Sequence, residues 1–524
     1  MKEDSPISLD VRSLALFRIG LGVYLLYDIG SRLSLGRLDI AWYTSDEPTS
    51  FLARTDTPHG APLHQLWFYR GSSQLQCTLF GITAVLAAMF AIGFFQTTPL
   101  QALITKLPLF LLVVSYQNRN MLNHDGSDSF CRHLLFWSIF LPLADVWSID
   151  RLLLSSMRPA HSVAVTRLAC LALTTQILFM YWGTVMHRTL DRFDSIADWK
   201  HSQWMPPDLS AVHYVMNGCF ARRHNALTEY LRQNSTVTRA MTASAMITES
   251  FLPFLAWMGG KRRHWYGLVI SSLHVGLLCT VRLPNWQWLG IVTQLVWIPT
   301  SFWGVPSDTD MYKKTDGDSA CVVITKTRPP PNPVSRFIQY FFFGYMIYNF
   351  MGMRGWIHQH DKGDIGEGVR LNQNWVMFSQ VSESAENLYL TGTFTNGTKV
   401  DLLAYLSSKK DIVPHKYVLG DRETYIQDMS SRYPTARWER AFSDWARLEP
   451  TNRERRMRHF GKGLCRFIAH LQQIEFRYQY LLLQPPGSKH RYKQYPRRPD
   501  TVTNVLCDPV PSVDMPEISL GSSE

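Results

Sequence analysis

Through its first two thirds the chain alternates long apolar runs with shorter polar ones. Apolar runs lie at 11–27, 76–95, 100–116, 133–146, 162–186, 240–258, 265–281, 286–303 and 337–351. A helix needs about 20 mostly apolar residues to cross a bilayer, so the pattern predicts about nine transmembrane or membrane-embedded helices. The first run carries Arg18 and ends at Asp28, charges expected to neutralise within or between helices. From Gln373 the period shortens to two, and the alternation turns at Asn396-Gly397, a strong hairpin signal. Helical spacing returns over 435–483 with Trp438, Phe442, Trp445, Phe460, Leu464, Phe467 and Leu471. The predicted fold is an all-α polytopic membrane bundle with a smaller α+β water-facing C-terminal domain. Its divisions are a membrane domain at 8–305, a Pro-rich linker at 306–335 and a final membrane segment at 336–352. A C-terminal domain at 353–484 and a disordered tail at 485–524 complete the chain.

Composition agrees with that split. Hydrophobic residues make up 46% and charged residues 18%, against about 25% charged in soluble proteins. The net charge of +11 comes mostly from 453–498, where twelve Lys and Arg face Glu454 and Glu475. In a membrane protein this reads as a solvated face near lipid headgroups, and no nucleic-acid partner is expected. Eight cysteines are scattered without a CxxC pair, so the common zinc spacings are absent and no metal site is expected. No cleavable leader is evident before the first run, which would itself act as the signal.

Charge in the short loops sets an orientation. Lys261, Arg262 and Arg263 fall on the N-terminal side of a nine-span arrangement, which places the N-terminus in the cytosol. The two N-x-[ST] sequons, Asn234 and Asn396, fall on the opposite side, where glycosylation occurs. The expected location is the endoplasmic reticulum with a lumenal C-terminal domain, or a bacterial inner membrane with that domain periplasmic. Expected partners are membrane lipids and a protein partner or substrate on the lumenal side.

The chemistry concentrates in the polar block between the third and fourth runs, with Asn118, Asn120, Asn123, His124, Asp125 and Asp128. Polar groups at membrane depth are costly unless they serve a pathway, a partner or chemistry. His124 with Asn123 and Asp125 reads either as a proton-handling or quinol-binding site, or as a helix cap with a turn at Asp125-Gly126. His187 and Arg188 read either as catalytic groups or as a snorkelling interfacial pair. Glu249 and His274 lie on neighbouring runs, where they either bind a ligand or pair with each other.

Several blocks in order carry a family resemblance: RIGLGVYLLYD, AWYTSDE, NRNMLNHDGSD, HLLFWSIFLPL, YWGTVMHRTLDRF, ESFLPFL, SSLHVGLL and LGIVTQLVWIPTSFW. Together they resemble the HTTM domain, the membrane domain shared with vitamin K-dependent gamma-carboxylase, over residues 8–305. The resemblance implies a membrane enzyme of carboxylase/lyase type that uses vitamin K hydroquinone, or another quinol. It places Asn123-His124 on the family's Asn-His pair. His187-Arg188 stand where the family has two lysines, and arginine is not deprotonated in proteins. Glutamyl carboxylation itself therefore lacks its base. The competing reading is a non-catalytic membrane scaffold or lipid-binding protein that recruits a partner through its C-terminal domain.

Overall fold

The computed structural model describes residues 8–34, 72–96, 98–119, 124–153, 164–189, 202–218, 220–221, 225–303, 331–353, 356–357, 365–373, 375, 377, 381–406, 433, 436–488, 492–494 and 501–507. The chain is mostly helical, with a small sheet towards its C-terminal end. Strand β1 (Ser8–Asp10) leads into α1 (Val11–Ser34), followed by α2 (Ser73–Ile92), α3 (Pro99–Arg119), α4 (Gly126–Ser138) and α5 (Ile149–Leu153). Next come β2 (Ala164–Thr166), α6 (Leu168–Thr189), α7 (Ala211–Asn217) and α8 (Ala226–Gln233). Helices α9 (Ser235–Trp257), α10 (Gly260–Thr280), α11 (Trp286–Gln294) and α12 (Pro333–Met353) complete the bundle.

Four helices, α1, α2, α3 and α6, are long and apolar enough to cross a membrane. Of these α6 is the most enclosed, with 83% of its apolar window buried against 39% for α2. It forms the centre of the bundle, and α2 an outer wall. Nine crossings are not what forms. The fourth run yields α4, whose 13 residues extend about 20 Å at 1.5 Å per residue and stop before Pro142. The eighth yields α11 and two 3-10 turns, Leu295–Trp297 and Thr300–Trp303, interrupted at Pro299. Helices α9, α10 and α12 are long but fall short in apolar character: α9 carries Glu249, α10 carries Arg262, and α12 carries Arg336 with Tyr340, Tyr345 and Tyr348. The expected linker falls largely in 304–330, outside the described residues.

Asp28 is neutralised within α1 by Arg32 and from another helix by Arg437, but not by Arg18, since ten helical residues separate the two by about 15 Å. Arg18 instead donates to the carbonyls of Ala91 at 3.2 Å and Leu143 at 2.8 Å, and to that of Trp147. Asp150 closes the same end by accepting the amides of Phe95 at 2.8 Å and Gln96 at 2.6 Å. Strand β1 pairs antiparallel with β2, and Arg263 donates to the Ser8 carbonyl at 2.7 Å. This end of the bundle is fastened by side chains satisfying loop carbonyls and amides that would otherwise be buried unpaired. The opposite end carries the candidate site.

After α12 and a short turn, α13 (Ile365–Gly368), the chain re-enters the bundle. Leu371 and Trp375 lie in the bundle's core, although the sequence division placed them beyond it. Trp375 Nε1 donates to Gln373 Oε1 at 2.9 Å, and the amide of Gln176 on α6 donates to the same oxygen at 2.9 Å.

The C-terminal domain comprises β3 (Ser384–Phe394), β4 (Lys399–Asp401), α14 (Leu402–Leu406), α15 (Ala436–Ala446), α16 (Pro450–Phe467), β5 (Leu471–Leu483), β6 (Tyr492–Gln494) and β7 (Thr501–Leu506). The antiparallel sheet runs β4-β3-β5, and β6 and β7 share the other edge of β5. The hairpin forms at Asn396-Gly397, where Gly397 holds φ +82°, a conformation a Cβ would strain. Trp438, Phe442, Trp445, Phe460 and Leu464 pack on Leu388, Leu390, Ile474 and Phe476. Helical spacing was expected to continue through Leu471 to 483, yet α16 stops at Phe467 and 471–483 is a strand. Ile474, Phe476, Tyr478 and Tyr480 are buried at the period of two that a one-faced strand requires. Part of the expected disordered tail is structured as well: β6 and β7 pair with β5, and Cys507 is disulfide-bonded to Cys465.

Candidate functional site

The site lies where the ends of α1, α3 and α4 meet α15 of the C-terminal domain. Asp125 stops the chain in an extended conformation and caps α4, accepting the amides of Ser127 at 2.7 Å and Asp128 at 3.2 Å. Asp128 returns a bond from the Asp125 amide at 3.2 Å, completing a capping box. Asn120 and Asn123 lie outside the described residues.

Behind the cap, five charges are buried together. On α1, Arg32 donates to Asp28 at 2.9 Å and to Asp128. Arg437, from α15, donates to Asp128 at 2.7 Å and Asp28 at 2.9 Å, and lies 3.4 Å from Asp125. Tyr116 at 2.8 Å and Asn285 at 2.6 Å donate the remaining hydrogen bonds to Asp28. Buried charges persist only when paired and hydrogen-bonded, and three carboxylates here share two guanidinium forks. Burial alone would raise the Asp128 pKa, but Arg32 and Arg437 hold this carboxyl well below the usual range.

His124 stands beside this cluster without joining it. Arg132 lies 2.8 Å from its Nε2, and because a guanidinium can only donate, that nitrogen is the acceptor of a neutral ring. Arg132 also donates to Gln117 at 2.9 Å and to the Arg370 carbonyl at 3.2 Å. Burial, then the charge of Arg132, push the His124 pKa down from 6.5 to about 3. In the unfolded chain the same ring takes its proton near pH 6.5. Acid below that pH therefore favours unfolding by up to one proton, or about 1.4 kcal/mol per pH unit. The Asp128 contribution is lost only below its ordinary value of 3.8. Stability followed by thermal unfolding is expected to fall between pH 6.5 and 4.5, and the His124→Gln variant to lack this component of the slope. An identical slope in both proteins would refute the assignment.

The other candidate residues are also engaged. His187 and Arg188 are buried in the last turn of α6. Arg188 donates to Glu249 at 2.8 Å and lies 3.9 Å over the ring of Trp204. His274 does not pair with Glu249: its Nε2 is 2.8 Å from the hydroxyl of Tyr181, and its ring packs on Gly290. The candidate residues thus fall into separate groups and do not converge on one site. Lys106, the one buried lysine among the described residues, donates to the Leu141 carbonyl at 2.8 Å at the end fastened by Arg18, away from His124.

A cavity of about 180 Å³ opens between the two domains. Asp125, Gly126 and Ser127 line it from α4, Tyr214 from α7, Trp286 from α11, and Arg440, Asp444 and Arg447 from α15. Of the candidate site residues only Asp125 reaches it. Burial, and then Glu383 and Asp208, raise the Tyr214 pKa to about 12, so its phenol keeps its proton. Sequence reasoning missed Arg32, Arg437 and the cavity. Arg437 falls in the RWERAF block, but nothing in local spacing distinguishes it from the other arginines of the basic region.

No protein-family model, characterised protein or solved structure matches the chain.

Proposed function

We propose that this chain is a multi-pass membrane protein with an HTTM-type bundle that serves as a non-catalytic, ligand-binding scaffold rather than as a glutamyl carboxylase. Helices α9, α10 and α12 join the four apolar helices in the membrane, presenting Phe251, Trp265 and Phe337, all exposed, to lipid. The observation that carries the reading is Arg188, held between Glu249 and Trp204 where the resembled family needs a base. A hydroquinone would require a neutral amine or imidazole within reach. His124, the imidazole matched to the resembled family, does not fit that need, since Arg132 already occupies its Nε2, and the cavity offers the carboxylate Asp125.

Purified protein in lipid, supplied with vitamin K hydroquinone, O₂ and CO₂, is expected to form no more epoxide than the His124→Ala, His187→Ala variant. Turnover above that variant would overturn the scaffold reading in favour of a quinol-using enzyme.

The C-terminal domain belongs on the oxidising side, the endoplasmic reticulum lumen or a periplasm, with the N-terminus cytosolic. The Cys465–Cys507 disulfide supports this, because such bonds persist in oxidising compartments. Both sequons lie at the C-terminal-domain end of the bundle. Asn396 is exposed at the hairpin tip, whereas the Asn234 side chain is half-buried and bonded to the Tyr230 carbonyl. In eukaryotic cells a glycosidase-sensitive mobility shift is expected, removed chiefly by Asn396→Gln. No shift, with the domain cleaved by protease from the cytosolic side, would reverse the orientation.

A further inference from the structure

We infer that the exposed basic stripe of α16 is an acid-binding surface, and that its resident occupant is the chain's own segment 508–524. Arg455, Arg458, Lys462 and Arg466 are all exposed, at steps of three, four and four residues that keep them on one helix face. The face opposite is apolar, with Met457, Phe460 and Leu464 buried in the domain core. Glu454 is the one acid within α16, and it binds Arg458 at 2.6 Å. The other three cations of the stripe therefore have no carboxylate within their own helix.

The chain itself delivers the complementary charge. Residues 508–524 carry Asp508, Asp514, Glu517 and Glu524 and no lysine, arginine or histidine. Their point of departure is fixed on α16, because Cys507 is disulfide-bonded to Cys465, the residue before Arg466. Strand β7 reaches that point alongside the helix, where a Cβ on Gly461 would lie 2.9 Å from Val505. The segment thus leaves at the C-terminal end of α16, and Asp508-Pro509 is a turn-favouring pair that suits a return along the stripe. From Arg466 to Arg455 the stripe is about 16 Å long. At about 3.1 Å per residue for an extended, proline-rich chain, Asp514 reaches about 22 Å from Cys507. Glu517 reaches about 31 Å on the same rise, so both carboxylates can lie on the stripe. Each exposed pair is weak, but a short tether gives an effective concentration in the millimolar range. An acidic partner from outside has to displace this segment first.

The full-length protein in phosphatidylcholine nanodiscs tests this through Lys462. A zero-length carbodiimide joins an amine to a carboxylate in contact, and mass spectrometry is expected to find Lys462 linked to Asp514 or Glu517 of the same chain. Amine labelling is the second readout. Lys462 is expected to react about tenfold faster in the Asp508→Asn, Asp514→Asn, Glu517→Gln variant, the effect of losing three exposed pairs. Wild type in 1 M salt is expected to behave likewise, since the Debye length falls there to about 3 Å. Exposed Lys399 on β4 is expected to keep its rate throughout. None of the three substituted positions belongs to an element of the fold, so the variant keeps it. Polyglutamate serves as the external probe and is expected to bind the variant about tenfold more tightly than wild type. Lys462 labelling indifferent to the three substitutions overturns the occupancy. Labelling that instead falls with the phosphatidylglycerol content of the nanodisc, and ignores the substitutions, assigns the stripe to the lipid surface and overturns it as well. Crosslinks joining two copies of the chain overturn the intramolecular arrangement. A variant that binds polyglutamate no better than wild type overturns the acid-binding role.

Discussion

Replacing Arg437 by methionine is expected to destabilise the protein by about 3–5 kcal/mol, the usual cost of removing one partner from a buried charge network. The substitution keeps most of the side-chain volume but leaves Asp28, Asp125 and Asp128 with one guanidinium between them. Arg437 is the residue by which the C-terminal domain reaches this cluster, so the loss falls on the junction between domains. The unfolding temperature in detergent is expected to drop, and limited proteolysis to release the C-terminal domain while the bundle stays intact. Arg437→Lys is expected to rescue little, because one ammonium cannot reproduce the fork that meets Asp28 and Asp128 together. Adding Asp28→Asn to Arg437→Met is expected to recover part of the loss by removing an unpaired charge. An Arg437→Met protein with unchanged unfolding temperature and cleavage pattern would show that the cluster does not hold the domains together.

Gly22→Leu is expected to be nearly as damaging, for a different reason. A Cβ on Gly22 would lie 2.5 Å from Ala91 Cβ and 2.7 Å from Ala91 Cα. The obstacle is largely backbone, which cannot rotate aside. Helices α1 and α2 approach each other through this pair of small residues, the way membrane helices maximise contact. Overpacking typically costs about 1–3 kcal/mol, and a leucine here is expected at the top of that range. Gly30 supplies the control, since nothing lies within 4 Å of a Cβ built there. Gly30→Ala is expected to be neutral or to stabilise by up to about 1 kcal/mol through helix propensity. Equal unfolding temperatures for Gly22→Leu and Gly30→Ala would refute the close-packing account.

These two positions mark different limits of sequence reading. Gly22 belongs to an apolar run that was recognised as a helix, yet glycine in a helix announces nothing about its neighbour. Arg437 lies 409 positions from Asp28, and neither composition nor period links them. Asp28 itself was singled out as a charge needing a partner. Neutralisation within or between helices was all the sequence offered, whereas helical geometry places Arg32 one turn away and leaves Arg18 at the far end. The polar block was visible as an anomaly, and the capping alternative at Asp125-Gly126 describes its local geometry directly. Strand β5 was legible in principle, since Ile474, Phe476, Tyr478 and Tyr480 alternate, but the flanking helical pattern of α16 was extended across it.

Apolar runs, the Asn396-Gly397 turn and the spacing of Trp438, Phe442 and Trp445 determined by themselves that this chain is a helical, membrane-compatible bundle followed by a mixed domain. Those features are set by local periodicity and by the bilayer's demand for internally satisfied backbone. Only the tertiary structure decided what the polar residues do. A buried charge is defined by the partners that surround it, and here those partners come from α1, α3, α4 and α15. The same folding that unites Asp28, Asp128 and Arg437 separates His124 from Arg188 and His274. It leaves Asp125 shared between the helix it caps and the cavity it faces.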